Sequence, residues 1–280
     1  MIKRYKKQPS REILINSGLN AKKSLGQHFL FDQNLTDRIA RVASNNTNDL
    51  SNFTVIEIGP GPGGLTRSLL NHKPKQLYVI ERDPRYVEFL SELQQVHTNK
   101  LTVIMGDALK FNISSIGQAP RRIIANLPYN ISTALLIKWL REIKNIEQMT
   151  LMFQTEVVDR IIAQPSSKPY GRLSVITQWL CEPKLEFHID KRAFVPPPKV
   201  GSSLLTLKPR PSPLHPAQFK YLEKITAVAF GQRRKMLRSS LKPLDIDIPA
   251  LGIDQTARPE NLSIEEFCLL ARVIERRFLD

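Results

Sequence analysis

The sequence has 280 residues, enough for a larger domain with a smaller appendage, and its 41 Lys and Arg residues outnumber its 26 Asp and Glu residues. The formal charge of +15 at pH 7 favours a polyanionic partner, and a soluble basic enzyme without one is the alternative. Two cysteines argue against a disulfide framework or a Cys-rich metal site, and the histidines show no metal-ligand spacing, so we expect no bound metal.

No apolar run approaches the roughly 20 residues that a membrane-spanning helix needs. Residues 1–23 are predicted to be a basic arm, and their start lacks the apolar core of a secretion signal. We therefore expect a cytoplasmic monomer without membrane contact. A mitochondrial address stays open, because basic residues precede a short apolar stretch at 13–15.

Apolar runs alternate with helical patterns over the first part of the chain. Strands are predicted at 53–58, 77–80, 101–105, 121–127 and 149–153, and helices at 35–42, 65–70, 84–93 and 135–143. The first strand is mostly apolar, as in a parallel sheet buried on both faces. The alternation predicts a doubly wound, Rossmann-like α/β sheet.

The pattern changes after residue 164. A helix is predicted at 173–180, followed by strands at 184–189 and 203–207, which a proline-stiffened loop joins into a hairpin that completes the sheet. A linker with four prolines and a helical stretch follow. These features predict an α/β domain over 24–208 and a smaller helical domain over 209–280.

The loop at 59–64 fits the dinucleotide fingerprint G-x-G-x-x-G, and Glu81 follows its first glycine by 22 residues. A pyrophosphate needs backbone N–H donors, however, and Pro60 and Pro62 have none. Glu57 adds negative charge at the same place. These features favour a cofactor that has cationic groups and no phosphates, S-adenosylmethionine, with Glu81 accepting the ribose hydroxyls.

Two further polar groups follow predicted strands. Asp107 ends the third strand, where its carboxylate could accept a hydrogen bond from the cofactor's adenine amino group. Asn126-Leu127-Pro128-Tyr129 ends the fourth. The Asn126 amide oxygen and a carbonyl near Pro128 could hold an exocyclic base amine, and Tyr129 could stack on a base removed from its helix. An unremarkable turn is the alternative.

The chain resembles the ribosomal RNA adenine N6-dimethyltransferase family from about Lys22 to Arg272, and most closely its bacterial small-subunit branch. The most specific stretches are 26–30, 55–61, 106–108, 126–133, 170–174, 194–200 and 232–235. The resemblance implies a class I methyltransferase fold and N6,N6-dimethylation of two adjacent adenosines in a hairpin near the 3′ end of 16S rRNA, within the 30S subunit. Gly201 departs from the aspartate that is frequent there.

The resemblance and the strand-end acids together give a set of candidate site residues. Candidate cofactor-binding residues are His28, Leu30, Glu57, Gly59, Gly61, Glu81, Asp107 and Asn126. The residues expected to hold the target base are Asn126, Pro128, Tyr129 and Phe194, the two rings forming a sandwich. The residues expected to contact RNA are Arg233, Arg234, Lys235 and Arg238, unless they form only a solvated helix face.

Three other functions remain open. One is methylation of 23S rRNA, as in the relatives that confer macrolide resistance. The second is a dinucleotide oxidoreductase, which the two loop prolines disfavour. The third is a non-catalytic ribosome-assembly checkpoint or a mitochondrial transcription factor, and the complete motif at 126–129 favours catalysis over it.

Overall fold

A computed structural model describes residue 21 and residues 26–277. The strands are β1 (Phe29–Leu30), β2 (Thr54–Ile58), β3 (Gln76–Glu81), β4 (Leu101–Met105), β5 (Arg121–Asn126), β6 (Gln148–Gln154), β7 (Cys181–Ile189), β8 (Phe194–Val195) and β9 (Ser202–Pro209). The α-helices are α1 (Gln33–Ala43), α2 (Gly64–Asn71), α3 (Pro84–Val96), α4 (Ser132–Arg141), α5 (Thr155–Ile162), α6 (Arg172–Leu180), α7 (Phe219–Gly231), α8 (Leu237–Ser240) and α9 (Ile264–Arg276). No described helix is long and apolar enough to span a membrane.

Seven strands form one sheet in the order β4-β3-β2-β5-β6-β9-β7. The five strands from β2 to β6 pair in parallel, and β9 runs antiparallel to β6. The chain leaves β2 for β3 and β4 on one side and later returns to β5 and β6 on the other. The predicted doubly wound α/β fold is therefore confirmed, and the predicted hairpin strands lie side by side at one end of the sheet.

The sheet core explains why the strands could be recognised. Every residue of β2 is buried, and β5 is buried except at its last residue. Apolar residues fill these positions because both faces of a parallel sheet are covered. The buried polar exceptions are Thr54, Arg121 and Arg122 near the starts of the two strands, and Glu57 near the end of β2, with a relative exposure of 2%.

Three of these elements, two strands and a helix, have no counterpart in the sequence prediction. The strands β1 and β8 pair antiparallel, with Phe29 opposite Val195 and Leu30 opposite Phe194. The helix α5 begins directly after β6 and buries Val157, Val158 and Ile161. A two-residue strand is too short to show a period, and its partner lies far away in the sequence.

The described residues divide into two compact units. The first comprises residues up to Thr155 together with Lys184–Lys208, and the second comprises Glu156–Pro183 and the residues from Pro209 onward. The predicted domains place 156–183 with the sheet instead. In the second unit, the Tyr170 hydroxyl donates to the Leu262 carbonyl at 3.0 Å, and the Tyr170 ring meets Phe230 edge-on. The predicted basic arm lies outside the described residues except at residue 21.

Candidate active site

A cleft opens in the first unit, where β2, β3, β4 and β5 end. Open α/β sheets bind ligands at this edge, next to the point where the strand order reverses. The candidate residues that line the cleft are His28, Leu30, Glu57, Gly59, Gly61, Glu81, Asp107, Asn126, Pro128 and Tyr129.

The glycine loop between β2 and α2 approaches the segment that contains β1. Gly61 has a φ of +52°, and a Cβ at this position would lie 2.6 Å from the Phe29 ring. Only glycine combines this backbone conformation with such close packing. The loop therefore borders the cleft and also supports β1.

Glu81 joins the end of β3 to this loop. Its Oε2 accepts the Gly61 N–H at 3.0 Å, and its Oε1 accepts the Asp83 N–H at 2.8 Å. Burial raises the pKa of the carboxyl group, although these hydrogen bonds oppose the effect. Each carboxylate oxygen can accept a further hydrogen bond, so Glu81 can receive two hydroxyl groups from a ligand.

Glu57 is the most perturbed acid that borders the cleft. Its Oε2 is buried and has no hydrogen-bond partner among the described residues. Burial raises the pKa of Glu57 to about 8, and the negative charge of Glu81 adds to this shift, whereas the Thr66 hydroxyl and the positive charge of Arg67 oppose it. A buried carboxylate oxygen without a hydrogen-bond partner is costly, which makes this group suited to a cationic ligand.

Asp107 follows β4 and has neighbours at both oxygens. Its Oδ1 accepts the Leu109 N–H at 3.0 Å, and its Oδ2 lies 3.7 Å from Nη1 of the exposed Arg82. Asp107 is partly exposed at the cleft. A ligand amino group can reach the remaining lone pairs of this carboxylate.

Asn126 is the last residue of β5, and its amide orientation follows from one contact. Its Nδ2 donates to the His28 carbonyl at 2.8 Å. A carbonyl can only accept a hydrogen bond, so the NH₂ group must lie on this side and Oδ1 on the other. The Pro128 carbonyl accepts the Ile131 N–H at 3.1 Å and retains a second lone pair. The site thus offers two acceptors within three residues.

Tyr129 is fixed at both ends of its side chain. Its hydroxyl shares a hydrogen bond of 2.6 Å with Ser202 Oγ, and its ring stacks on His28 with centroids 5.4 Å apart and 27° between the planes. Burial raises the pKa of the Tyr129 phenol. Ser202 was not a candidate residue, and a partner 73 residues away leaves no local signal in the sequence.

Phe194 is not among the residues that line this cleft. It lies on β8 opposite Leu30 and is 1% exposed within the hydrophobic core. His28 instead contacts Tyr129, and its Nδ1 donates to the Pro196 carbonyl at 2.7 Å. The predicted base sandwich between Tyr129 and Phe194 stays a prediction.

The four basic residues within 233–238, the basic run of the second unit, lie in two different environments. Arg233 is half-buried, and its Nε lies 2.6 Å from Glu260 Oε2. Arg234, Lys235 and Arg238 are exposed. Across residues 26–277, no cluster of three or more His, Cys, Asp and Glu side chains could hold a metal ion.

The sheet order and the acids at successive strand ends define a Rossmann-like methyltransferase fold, and the comparisons identify the family. The family described as ribosomal RNA adenine dimethylase matches residues 18–276. The chain belongs to this family and is an RNA-modifying methyltransferase, so the resemblance inferred from the motifs is confirmed.

Two relatives agree with this assignment. The ribosomal RNA small subunit methyltransferase A of Paramagnetospirillum magneticum is 54% identical over 276 residues, which cover 97% of this chain and 96% of the relative. The protein of the same name from Rhodospirillum rubrum is 53% identical over 270 residues, covering 95% and 92%.

Two solved structures have similar folds. A dimethyladenosine transferase from Plasmodium falciparum aligns with a TM-score of 0.76 at 24% identity, covering 90% of this chain and 98% of that one. The 23S rRNA methyltransferase ErmE aligns with a TM-score of 0.65 at 26% identity, covering 88% and 99%.

Proposed function

We propose that this protein transfers methyl groups from S-adenosylmethionine to adenine N6 in 16S rRNA, twice on each of two adjacent adenosines near the 3′ end. The observation that carries the proposal is the orientation of Asn126, whose amide oxygen is left as an acceptor in the cleft by the bond to the His28 carbonyl. The small-subunit name of relatives at 54% and 53% identity supports the choice of 16S rRNA over 23S rRNA.

The acids at the cleft fit the proposed cofactor. Glu57 has a buried, unpartnered oxygen within the described part of the chain, as a site for a cationic amino group requires. Glu81 can accept both ribose hydroxyls, and Asp107 can accept the adenine amino group. When bound, S-adenosylmethionine supplies a methyl group already activated by the sulfonium.

Asn126, Pro128 and Tyr129 orient the nucleophile. The lone pair of an adenine amine is delocalised into its ring, which makes the amine weakly nucleophilic. Acceptors at Asn126 Oδ1 and the Pro128 carbonyl hold its hydrogens and direct the lone pair toward the methyl group. The amine keeps one hydrogen after the first transfer and none after the second. Loss of the last donor accounts for a reaction that stops at dimethyladenosine.

The second unit supplies charge for RNA binding. Arg234, Lys235 and Arg238 are exposed within a short stretch and can contact phosphates. We place the protein in the cytoplasm as a monomer whose partner is the maturing 30S subunit. A role in subunit maturation follows from that partner.

The test is transfer of labelled methyl groups from S-adenosylmethionine to unmethylated 30S subunits, with 50S subunits and naked rRNA in parallel, followed by nucleoside analysis. N6,N6-dimethyladenosine appearing with 30S subunits supports the proposal. Label in 23S rRNA alone would assign the protein to the function of the macrolide-resistance relatives. Cofactor binding without any transfer would favour a non-catalytic assembly factor.

A further inference from the structure

An exposed loop of the second unit is fixed at several points. This loop, residues 166–170, connects α5 to α6 and contains the exposed Lys168. The Ser166 N–H donates to the Glu260 carbonyl at 2.7 Å, and Asn261 Nδ2 donates to Ser166 Oγ at 3.2 Å. At its other end, the Tyr170 hydroxyl donates to the Leu262 carbonyl. Residues 260–262 therefore hold both ends of the loop.

Arg233 fixes the middle of the loop. Its Nη2 donates to the Lys168 carbonyl at 2.6 Å, while its Nε donates to Glu260 Oε2 at 2.6 Å. The guanidinium group is thus bonded both to the loop and to the segment that holds the loop ends. Arg233 is half-buried, and Glu260 partly neutralises its charge, so it should attract a phosphate less strongly than its exposed neighbours Arg234 and Lys235.

The position of Lys168 follows from this contact. Because Arg233 bonds the Lys168 backbone, the loop lies beside the start of the basic run in the same unit. Ordering a loop costs about 1–2 kcal/mol of backbone entropy per residue, and a surface ordered before binding need not lose that entropy on binding. These polar contacts order the backbone that carries the exposed Lys168, so this lysine is presented by a fixed loop next to Arg233.

We infer that residues 166–170 extend the RNA-binding surface, with Lys168 contacting backbone phosphates beside Arg234 and Lys235, and that Arg233 is a positioning residue for this loop. The inference rests on the proposed function and deepens it, because it divides the basic run into residues that contact RNA and one that orders the surface. The partner chemistry is an RNA phosphate backbone.

The sharpest test is Glu260→Ala. The substitution removes a negative charge near the proposed surface, so simple electrostatics predicts tighter RNA binding. It also removes the carboxylate that fixes Arg233, so the inference predicts that affinity for 30S subunits falls about two- to fivefold. Affinity that is unchanged or higher would overturn the inference. Circular dichroism before and after heating checks that the variant is folded.

A second test uses the exposed Lys168 and does not depend on the folding of the Glu260 variant. Lys168→Ala should weaken 30S binding about three- to fivefold near 0.15 M salt and reduce the slope of log affinity against log salt by about 0.7–0.9. Lys220→Ala is the matched control, because this exposed lysine lies at the opposite end of α7 from the basic run. Equal behaviour of the two variants would contradict the assignment of Lys168.

Arg233→Gln combined with Lys168→Ala separates positioning from direct contact. If Arg233 acts through the loop, the double variant binds about as weakly as the weaker single variant, and the salt slope falls by about one phosphate contact. If Arg233 contacts its own phosphate, the losses multiply to about 10- to 25-fold and the slope falls by about two contacts. The second result would refute the positioning role.

The methylation assay distinguishes failure of this inference from failure of the proposed function. The same 30S preparation is used for binding and for methyl transfer by the native protein. Transfer together with unchanged binding by Lys168→Ala would overturn the loop assignment alone. Absence of both transfer and salt-dependent 30S binding by the native protein would overturn both proposals.

Discussion

Replacing Glu57 by glutamine should stabilise the ligand-free protein and weaken its binding of S-adenosylmethionine. The pKa of Glu57 is raised from an ordinary 4.5 to about 8 by burial. The folded protein therefore retains a proton that the unfolded chain releases between these two values. Stability is lost as the pH rises through this window, and the cost is constant above it. Glutamine has a similar shape and no such cost.

The magnitude follows from about 1.4 kcal/mol for each pKa unit. The gain for Glu57→Gln in free energy of unfolding should be below about 1 kcal/mol at pH 5, about 3 kcal/mol at pH 7 and about 5 kcal/mol well above pH 8. Urea denaturation at each pH measures this gain. The exposed Glu88→Gln is the control, with an expected change within about 0.5 kcal/mol at every pH.

In the presence of S-adenosylmethionine, Glu57→Gln should be unfavourable, because the proposed partner of the cofactor's amino group is lost. If Glu57 receives the cationic amino group, the native protein should release a proton on binding at pH 7, and Glu57→Gln should bind S-adenosylmethionine at least tenfold more weakly at pH 8. Calorimetry in buffers of different ionisation enthalpy measures the proton release. A gain in stability that is independent of pH, or undiminished cofactor affinity, would refute this reasoning.

Substitutions at three further positions test other parts of the cleft. Asn126→Ala should lower kcat about 10²- to 10³-fold in the 30S assay while most of the cofactor affinity remains, and a near-native rate would contradict its role. Tyr129→Phe, which loses one hydrogen bond, should lower kcat/KM about 2- to 10-fold, whereas Tyr129→Ala should lose about 1–3 kcal/mol more through lost stacking. Gly61→Ala should destabilise the protein by about 1–3 kcal/mol through its positive φ and the contact with Phe29, measured by urea denaturation against Gly231→Ala, where the added Cβ meets no atom within 4 Å.

The strand-end residues could be predicted because a doubly wound sheet brings them together. Glu81 and Asn126 end two strands and Asp107 follows a third, and parallel pairing aligns the ends of those strands at one edge. The order of elements along the chain was therefore sufficient to predict that these side chains share a cleft. No contact between distant residues had to be known.

The sequence could not predict partners whose choice depends on packing. Ser202 fixes Tyr129 across 73 residues, and Glu260 pairs with Arg233 across 27. Neither pair can be recognised in the sequence from a periodic pattern or from a motif. Arg233 and Arg234 are neighbours of the same type in the sequence, but one is half-buried and paired while the other is exposed. The local sequence pattern shows residue type and periodicity. It does not show which of the two arginines forms an ion pair with a carboxylate.

The burial of Phe194 bears on whether its ring can stack on the target base. Its burial opposite Leu30 contributes roughly 1.5–3 kcal/mol, which would be lost if the ring left the core. Stacking between a base and an aromatic ring contributes about 1–3 kcal/mol. Because the two energies are similar, a flipped adenine can compensate for the lost core contact of Phe194. The burial of Phe194 is therefore energetically compatible with the predicted sandwich.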